Sequence, residues 1–206
     1  GCAVLTGFGV IENNAKVRIG ESIVVFGSGG VGLNMIQAAA SSSMYPIIAV
    51  DLHDSRLELA KECGASHVIN SKSQDAKVLI KQFLEEDELD VFIDNTGQPS
   101  IIEMGYSLTS QQGRVVLVGV PSKENNINIH SLPLHFGKTI IGSHGGEATP
   151  HLDIPRYQKL FEAGYVNLKL LITEHFDLED INTAIRRMRS GELIGRCAIK
   201  MESKQK

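Results

Sequence analysis

The sequence predicts an α/β fold: a doubly wound parallel sheet of six strands, with short flanking segments at both ends. Three observations predict it. Short apolar runs rich in β-branched residues alternate with longer helical patterns, as in a parallel sheet covered on both faces. Glycines at 27, 29 and 32 follow the first such run at once and open the first helical pattern. The second run ends in an acid, Asp51, nineteen residues after Gly32. The last two features place a G-x-G-x-x-G spacing between strand and helix, with an acid closing the next strand, which is the setting of a dinucleotide-binding (Rossmann) unit.

Taken in order, residues 1–20 form a lead-in. Val4, Phe8, Ile11 and Ala15 recur at helical spacing, and Gly7 and Gly9 weaken that helix. Ile23 to Phe26 is the first strand. Leu33, Ile36 and Ala40 share a face of the first crossover helix, and Ile47 to Val50 is the second strand. Asp54 is placed to cap the next helix, with Leu57 and Ala60 inward and Gly64 at its end. His67 to Asn70 is a third strand. Asp75 to Glu85 reads as a helix with Val78, Leu79 and Phe83 apolar, followed by the solvated acidic loop Glu85 to Glu88.

A second half then begins. Asp90 to Asp94 is a strand running into Asn95, Thr96 and Gly97, and Pro99 to Leu108 is a helix. Arg114 to Val120 and Lys138 to Gly142 are the last two strands of the sheet. The long link between them has room for a short helix at 128–132. Beyond it, Asp153 to Gly164 is a helix with Ile154, Tyr157, Leu160 and Phe161 on one face. Asp177 is placed to cap another, with Leu178, Ile181, Ile185 and Met188 as its apolar stripe. Arg196 to Met201 is a closing strand, and Glu202 to Lys206 a polar end. The chain thus divides into a lead-in (1–20), a dinucleotide-binding domain (21–145) and C-terminal helices with a closing strand (146–206).

The glycine motif has a chemical reading residue by residue. Gly27 permits the tight turn out of the strand, Gly29 lets the backbone approach a pyrophosphate, and Gly32 lets helix and sheet pack closely. Gly30 and Val31 lie in the same turn, where free helix N–H groups face an anion. Asp51 can accept hydrogen bonds from both ribose hydroxyls of an adenosine. It repels a 2′-phosphate, by roughly 4 kcal/mol for unit charges about 4 Å apart at an effective dielectric near 20, so NAD is preferred to NADP. Leu52 and Arg56 sit beside it. Thr96, Gly97, Val118, Gly119 and Val120 fall at the carboxyl ends of the central strands, where such sheets bind ligands. Glycines that only pack, or a methyltransferase reading a nucleoside, are the competing readings of this stretch. His144, in a glycine-rich loop, has no partner acid that would make it a base. Cys2 taken alone is either an inert thiol or a metal ligand.

Composition narrows the classes. The chain has 206 residues, of which 42% are hydrophobic and 21% charged, with a net charge of −4. Nothing basic points to nucleic acid, and no apolar run is long enough to span a bilayer. Three widely spaced cysteines, Cys2, Cys63 and Cys197, offer no disulfide framework and suit a reducing cytoplasm.

Along nearly its whole length the chain resembles the zinc-dependent medium-chain alcohol dehydrogenases. The residues that carry the resemblance are Gly1-Cys2, Thr6-Gly7, Gly9, Ala15 to Val17, Gly20, Val25 to Leu33, Val50-Asp51, Gly64-Ala65, Val118 to Pro121 and Leu171 to Thr173. The resemblance implies NAD as cofactor and, in the intact protein, a catalytic zinc acting as Lewis acid with Cys2 among its ligands. It implies that Thr6 and Val31 pack against the nicotinamide, and that Arg56 lies at the adenosine ribose. Val118 and Val120 would line the cofactor groove, Ser143 would fall near the backbone that holds the carboxamide, and Arg196 would bind the pyrophosphate. The family places a catalytic domain, with the other zinc ligands and most contacts to the alcohol or aldehyde, ahead of the position of Gly1. This chain is therefore expected to be a piece that binds NAD without turning over. A homodimer through the open edge near Lys138 to Gly142 is also implied. A zinc-free quinone or enoyl reductase, and a non-enzymatic NAD-sensing module, are the alternatives.

Overall fold

A computed structural model describes residues 1–201, so the polar end expected at Glu202 to Lys206 lies outside the described residues. The centre is a six-stranded parallel sheet in the order β3-β2-β1-β4-β5-β6. Its strands are β1 (Ile23–Phe26), β2 (Ile47–Asp51), β3 (His67–Asn70), β4 (Leu89–Asp94), β5 (Thr109–Leu117) and β6 (Thr139–Gly142). The chain starts in the middle, winds outward to β3, returns to β4 beside β1 and winds outward again to β6. The reversal between β1 and β4 leaves a crevice at their carboxyl ends.

Successive residues of β1 explain its unbroken apolar run. Ile23 and Val25 face one core with Leu33, Ile36, Phe8 and Ile11. Val24 and Phe26 face the other, with Ile48, Ile80, Phe92 and Tyr106. A strand buried on both faces needs no polar alternation. The register Phe26↔Val50 and Phe26↔Asp94 brings the ends of β1, β2 and β4 level, so the loops that follow them share one rim.

Seven α-helices are described: α1 (Cys2–Gly9), α2 (Gly30–Ser41), α3 (Asp54–Glu62), α4 (Ala76–Leu84), α5 (Pro99–Leu108), α6 (Pro150–Glu162) and α7 (Ile181–Arg189). α1 runs on through a π-helical turn, Val10–Ala15. Its glycines are contact points rather than breaks. A Cβ at Gly7 would press on the main chain of Asn34 at 3.0 Å, and one at Gly9 on Gly146 at 2.9 Å.

Several expectations are corrected. α2 is buried from Gly32 to Ala39, enclosed by the sheet and by α1, and Ala40 is exposed. His53, not Asp54, is the N-cap of α3, and Asp54 instead accepts a hydrogen bond from Asn70 Nδ2 at 2.6 Å. Val78 points to solvent, while Ala76, Ile80 and Leu84 form the buried face of α4. β5 begins five residues early, at Thr109, which pairs with Leu89 ahead of a register shift, and ends at Leu117, the partner of Asp94. The short helix in the long link is a 3₁₀ turn at Leu132–Phe136. α6 starts at Pro150, and Ile154 is exposed on it.

A strand absent from the sequence reading, β7 (Ile172–Asp177), pairs in parallel with β8 (Arg196–Lys200) as a second sheet. Asp177 therefore ends a strand and does not cap α7 directly. Leu178, Ile181 and Met188 are exposed, and Ala184 is the buried residue of α7.

Candidate functional site

The site is built on the turn between β1 and α2. Gly27 adopts φ +103°, a conformation that other residues resist, and its N–H donates to the carbonyl of Val50 at 2.7 Å. Gly29 is the N-cap of α2, and no side chain caps that end. A Cβ at Gly29 would meet nothing within 4 Å, so its Cα faces open space. A Cβ at Gly32 would lie 3.0 Å from the carbonyl carbon of Gly27, so the helix rests directly on the turn. Ser28 Oγ is buried without a hydrogen-bond partner among the described residues. The free end of α2, with its partial positive charge, thus opens onto a backbone cradle.

Asp51 closes one side. The residue is 6% exposed. Oδ2 accepts the N–H of Ser28 at 2.8 Å, and Oδ1 accepts those of Leu52 at 2.8 Å and His53 at 3.1 Å. Arg56 Nη1 stands 3.6 Å from Oδ1. Asp51 therefore holds the glycine turn and the start of α3 as well as facing the cleft. A carboxylate offers about four acceptor sites, so about one is left for a ligand hydroxyl.

A cleft of about 480 Å³ runs along this rim, lined by Gly27, Gly29, Asp51, Leu52, Arg56 and Thr96 among the expected residues. His53, Ser71, Asn95, Gln98 and Ile101 also line it and were not expected. Ser71, Asn95 and Gln98 follow the ends of β3 and β4, and the rule that ligands sit beyond strand ends would have found them. Ile101 carries no signal in the sequence.

A second cavity of about 240 Å³ continues past Gly29 and Arg56, which line both, to Gly30, Arg196 and Cys197. There the Arg196 side chain lies against Gly30. Two guanidinium groups thus flank the amino end of α2, with only Arg56 paired to an acid among the described residues.

The remaining expected residues line neither cavity. Thr6 is buried in α1, and its carbonyl lies beside Gly146. Val31 and Val118 are partly buried against the core. Gly97 and Gly119 pack together, and Val120 is 91% exposed. Ser143 follows β6, its N–H donating to Leu117 and its Oγ accepting from Gly146 at 3.1 Å.

Cys2 is exposed, with Sγ 3.8 Å from Thr6 Oγ1. No group of three or more His, Cys, Asp or Glu suited to a metal occurs among the described residues. A catalytic zinc needs about three protein ligands, so this chain alone does not fit one. No helix among the described residues is long and apolar enough to cross a membrane.

Comparison with known proteins places the chain in a family. The family model described as zinc-binding dehydrogenase matches residues 30–163. Alcohol dehydrogenase 1 of Pisum sativum is 35% identical over 205 residues, which are 98% of this chain and 53% of that protein. The S-(hydroxymethyl)glutathione dehydrogenase of Paracoccus denitrificans is 32% identical, over 94% of this chain and 54% of its own length. The crystal structure of benzyl alcohol dehydrogenase from Acinetobacter calcoaceticus superposes with a TM-score of 0.90 at 34% identity, covering 98% of this chain and 55% of that one. The chain spans about half the length of the curated relatives it matches.

Proposed function

This chain belongs to the zinc-binding dehydrogenase family, and on that premise we propose that it is the NAD(H)-binding half of an alcohol dehydrogenase. The observation that carries the proposal is the amino end of α2, uncapped, open at Gly29 and flanked by Asp51 and Arg196. The pyrophosphate lies over Gly29 and Gly30, where helix N–H groups and Arg196 meet its charge. The adenosine lies in the larger cleft with a ribose hydroxyl on Asp51 and Arg56 beside it. The nicotinamide extends toward Val31, Thr6, Val118 and Ser143.

Bound NAD supplies the hydride acceptor, and the chain's own residues fix where that ring stands. In the whole protein the substrate is an alcohol, or an aldehyde or ketone in reverse. In the whole protein Cys2 would offer one thiolate toward a zinc, which would act as Lewis acid. We propose a homodimer that pairs along the open edge at β6, next to the exposed Leu132 and Phe136. The free cysteines suit a cytoplasmic setting.

Crystals grown with NADH test the placement: density over Gly29 and Gly30 is the expected result, and a cofactor seated elsewhere contradicts it. Incubation of this chain with NAD and primary alcohols is expected to form no NADH, whereas turnover would show that the catalytic groups have been misassigned.

A further inference from the structure

Asp94, the last residue of β4, is fully buried. Its Oδ1 accepts the N–H of Thr96 at 3.0 Å and the Thr96 hydroxyl at 2.6 Å, and its Oδ2 accepts the N–H of Gly97 at 2.9 Å. Its main-chain carbonyl accepts the N–H groups of Val118 at 2.8 Å and Gly119 at 3.0 Å. One residue therefore holds the loop after β4 with its side chain and the loop after β5 with its main chain.

The two loops also touch. A Cβ at Gly119 would lie 2.5 Å from main-chain atoms of Thr96, and one at Gly97 would lie 2.9 Å from the carbonyl of Val120. The loop after β4 is tied to the glycine turn as well, since Asn95 donates to Phe26 and, through Nδ2, to the carbonyl of Gly27 at 3.2 Å.

A turn after a strand needs only one side-chain acceptor, which Asn or Ser supplies. A carboxylate with no exposure is costly unless its oxygens are satisfied, and here three donors meet it. Its second acceptor oxygen is what an amide lacks.

We propose that Asp94 is a positioning residue for the cofactor, locking Thr96 on the adenosine side to the segment 118–120 on the nicotinamide side so that both act as one rim. The inference rests on the proposed NAD(H) function. Asp94 touches no ligand itself; it acts through the two loops.

The test is calorimetry with NADH on the full 206-residue chain, comparing wild type, Asp94→Asn and Thr96→Val. Asp94→Asn keeps the volume but sets an amide N–H₂ against a main-chain N–H. NADH affinity is expected to fall about tenfold or more at full stoichiometry, as for a lost charge-assisted hydrogen bond. Thr96→Val removes the hydroxyl's bond to Asp94 and the one it accepts from the Gln98 N–H at 3.2 Å, and keeps the acid, so it supplies the readout if Asp94→Asn does not fold. A loss of about two- to fivefold is expected for it. A purely structural role predicts fewer binding-competent molecules with wild-type Kd, and that outcome overturns the inference. NADH binding by wild type with Kd unchanged in the variants overturns the role of Asp94 alone. Failure of wild type to bind NADH overturns the proposed function beneath it.

Discussion

The guanidinium of Arg196, at the start of β8, lies against Gly30, the first residue of α2. A Cβ at residue 30 would come within 2.7 Å of Arg196 Cζ. The contact carries the C-terminal sheet onto the glycine turn and sets a cation where a helix end already favours an anion. Arg196→Met is therefore expected to weaken NADH binding about tenfold to a hundredfold, from the loss of about 1.5–3 kcal/mol of charge-assisted hydrogen bonding. Adenosine, which has no pyrophosphate, is expected to bind both forms equally. Titration of both ligands checks this, and an equal loss for adenosine would place Arg196 elsewhere.

Gly9→Ala tests the seam between α1 and the loop after β6. The new Cβ would meet main-chain atoms of Gly146, which cannot turn aside as a side-chain tip can. Overpacking of this kind costs about 1–3 kcal/mol. For a chain of this size each kcal/mol lowers Tm by about 2–4 °C, so a thermal melt is expected to show a fall of several degrees.

The cysteines separate by environment. Burial pushes the Cys63 thiol up to about 12, with Glu62 adding to the rise. Iodoacetamide at pH 8 is expected to modify the exposed Cys2 readily and to leave Cys63 untouched until denaturant is added. Cys197 lines the cavity shared by Gly30 and Arg196, so NADH is expected to protect it. Peptide mapping by mass spectrometry reads all three, and labelling of native Cys63 would contradict its burial.

The same thiol makes stability depend on alkaline pH. In the unfolded chain it ionises near 9.0, and in the folded chain near 12. Between those values the folded state holds the extra proton, so the contribution present below pH 9 is lost as pH rises through the window. The loss is about 1.4 kcal/mol per pH unit at most. Urea unfolding of wild type and Cys63→Ala at pH 8.5 and 10.5 is expected to show the steeper decline in wild type, and equal declines would refute it.

Much of the fold was legible because its strands are buried on both faces. Ile23 to Phe26 and His67 to Asn70 were read at their observed bounds. Pro99 to Leu108 was too, with proline fixing its start. Periodicity failed where burial is not one-sided. α2 is enclosed almost all round, so no apolar stripe could mark its face. β7 escaped notice because Ile172 to Asp177 mixes exposed and half-buried residues and sits in a two-stranded sheet. In the site, the glycine turn and Asp51 were legible from spacing. That Asp51 spends most of its acceptors on the backbone was not, because those bonds depend on how three loop N–H groups converge.

Calorimetric titration of this chain with NADH and with NADPH tests the central claim most directly. The account predicts one NADH per chain, with NADPH bound at least about tenfold more weakly because its 2′-phosphate would face Asp51. Absence of NADH binding, or tighter binding of NADPH, would contradict it.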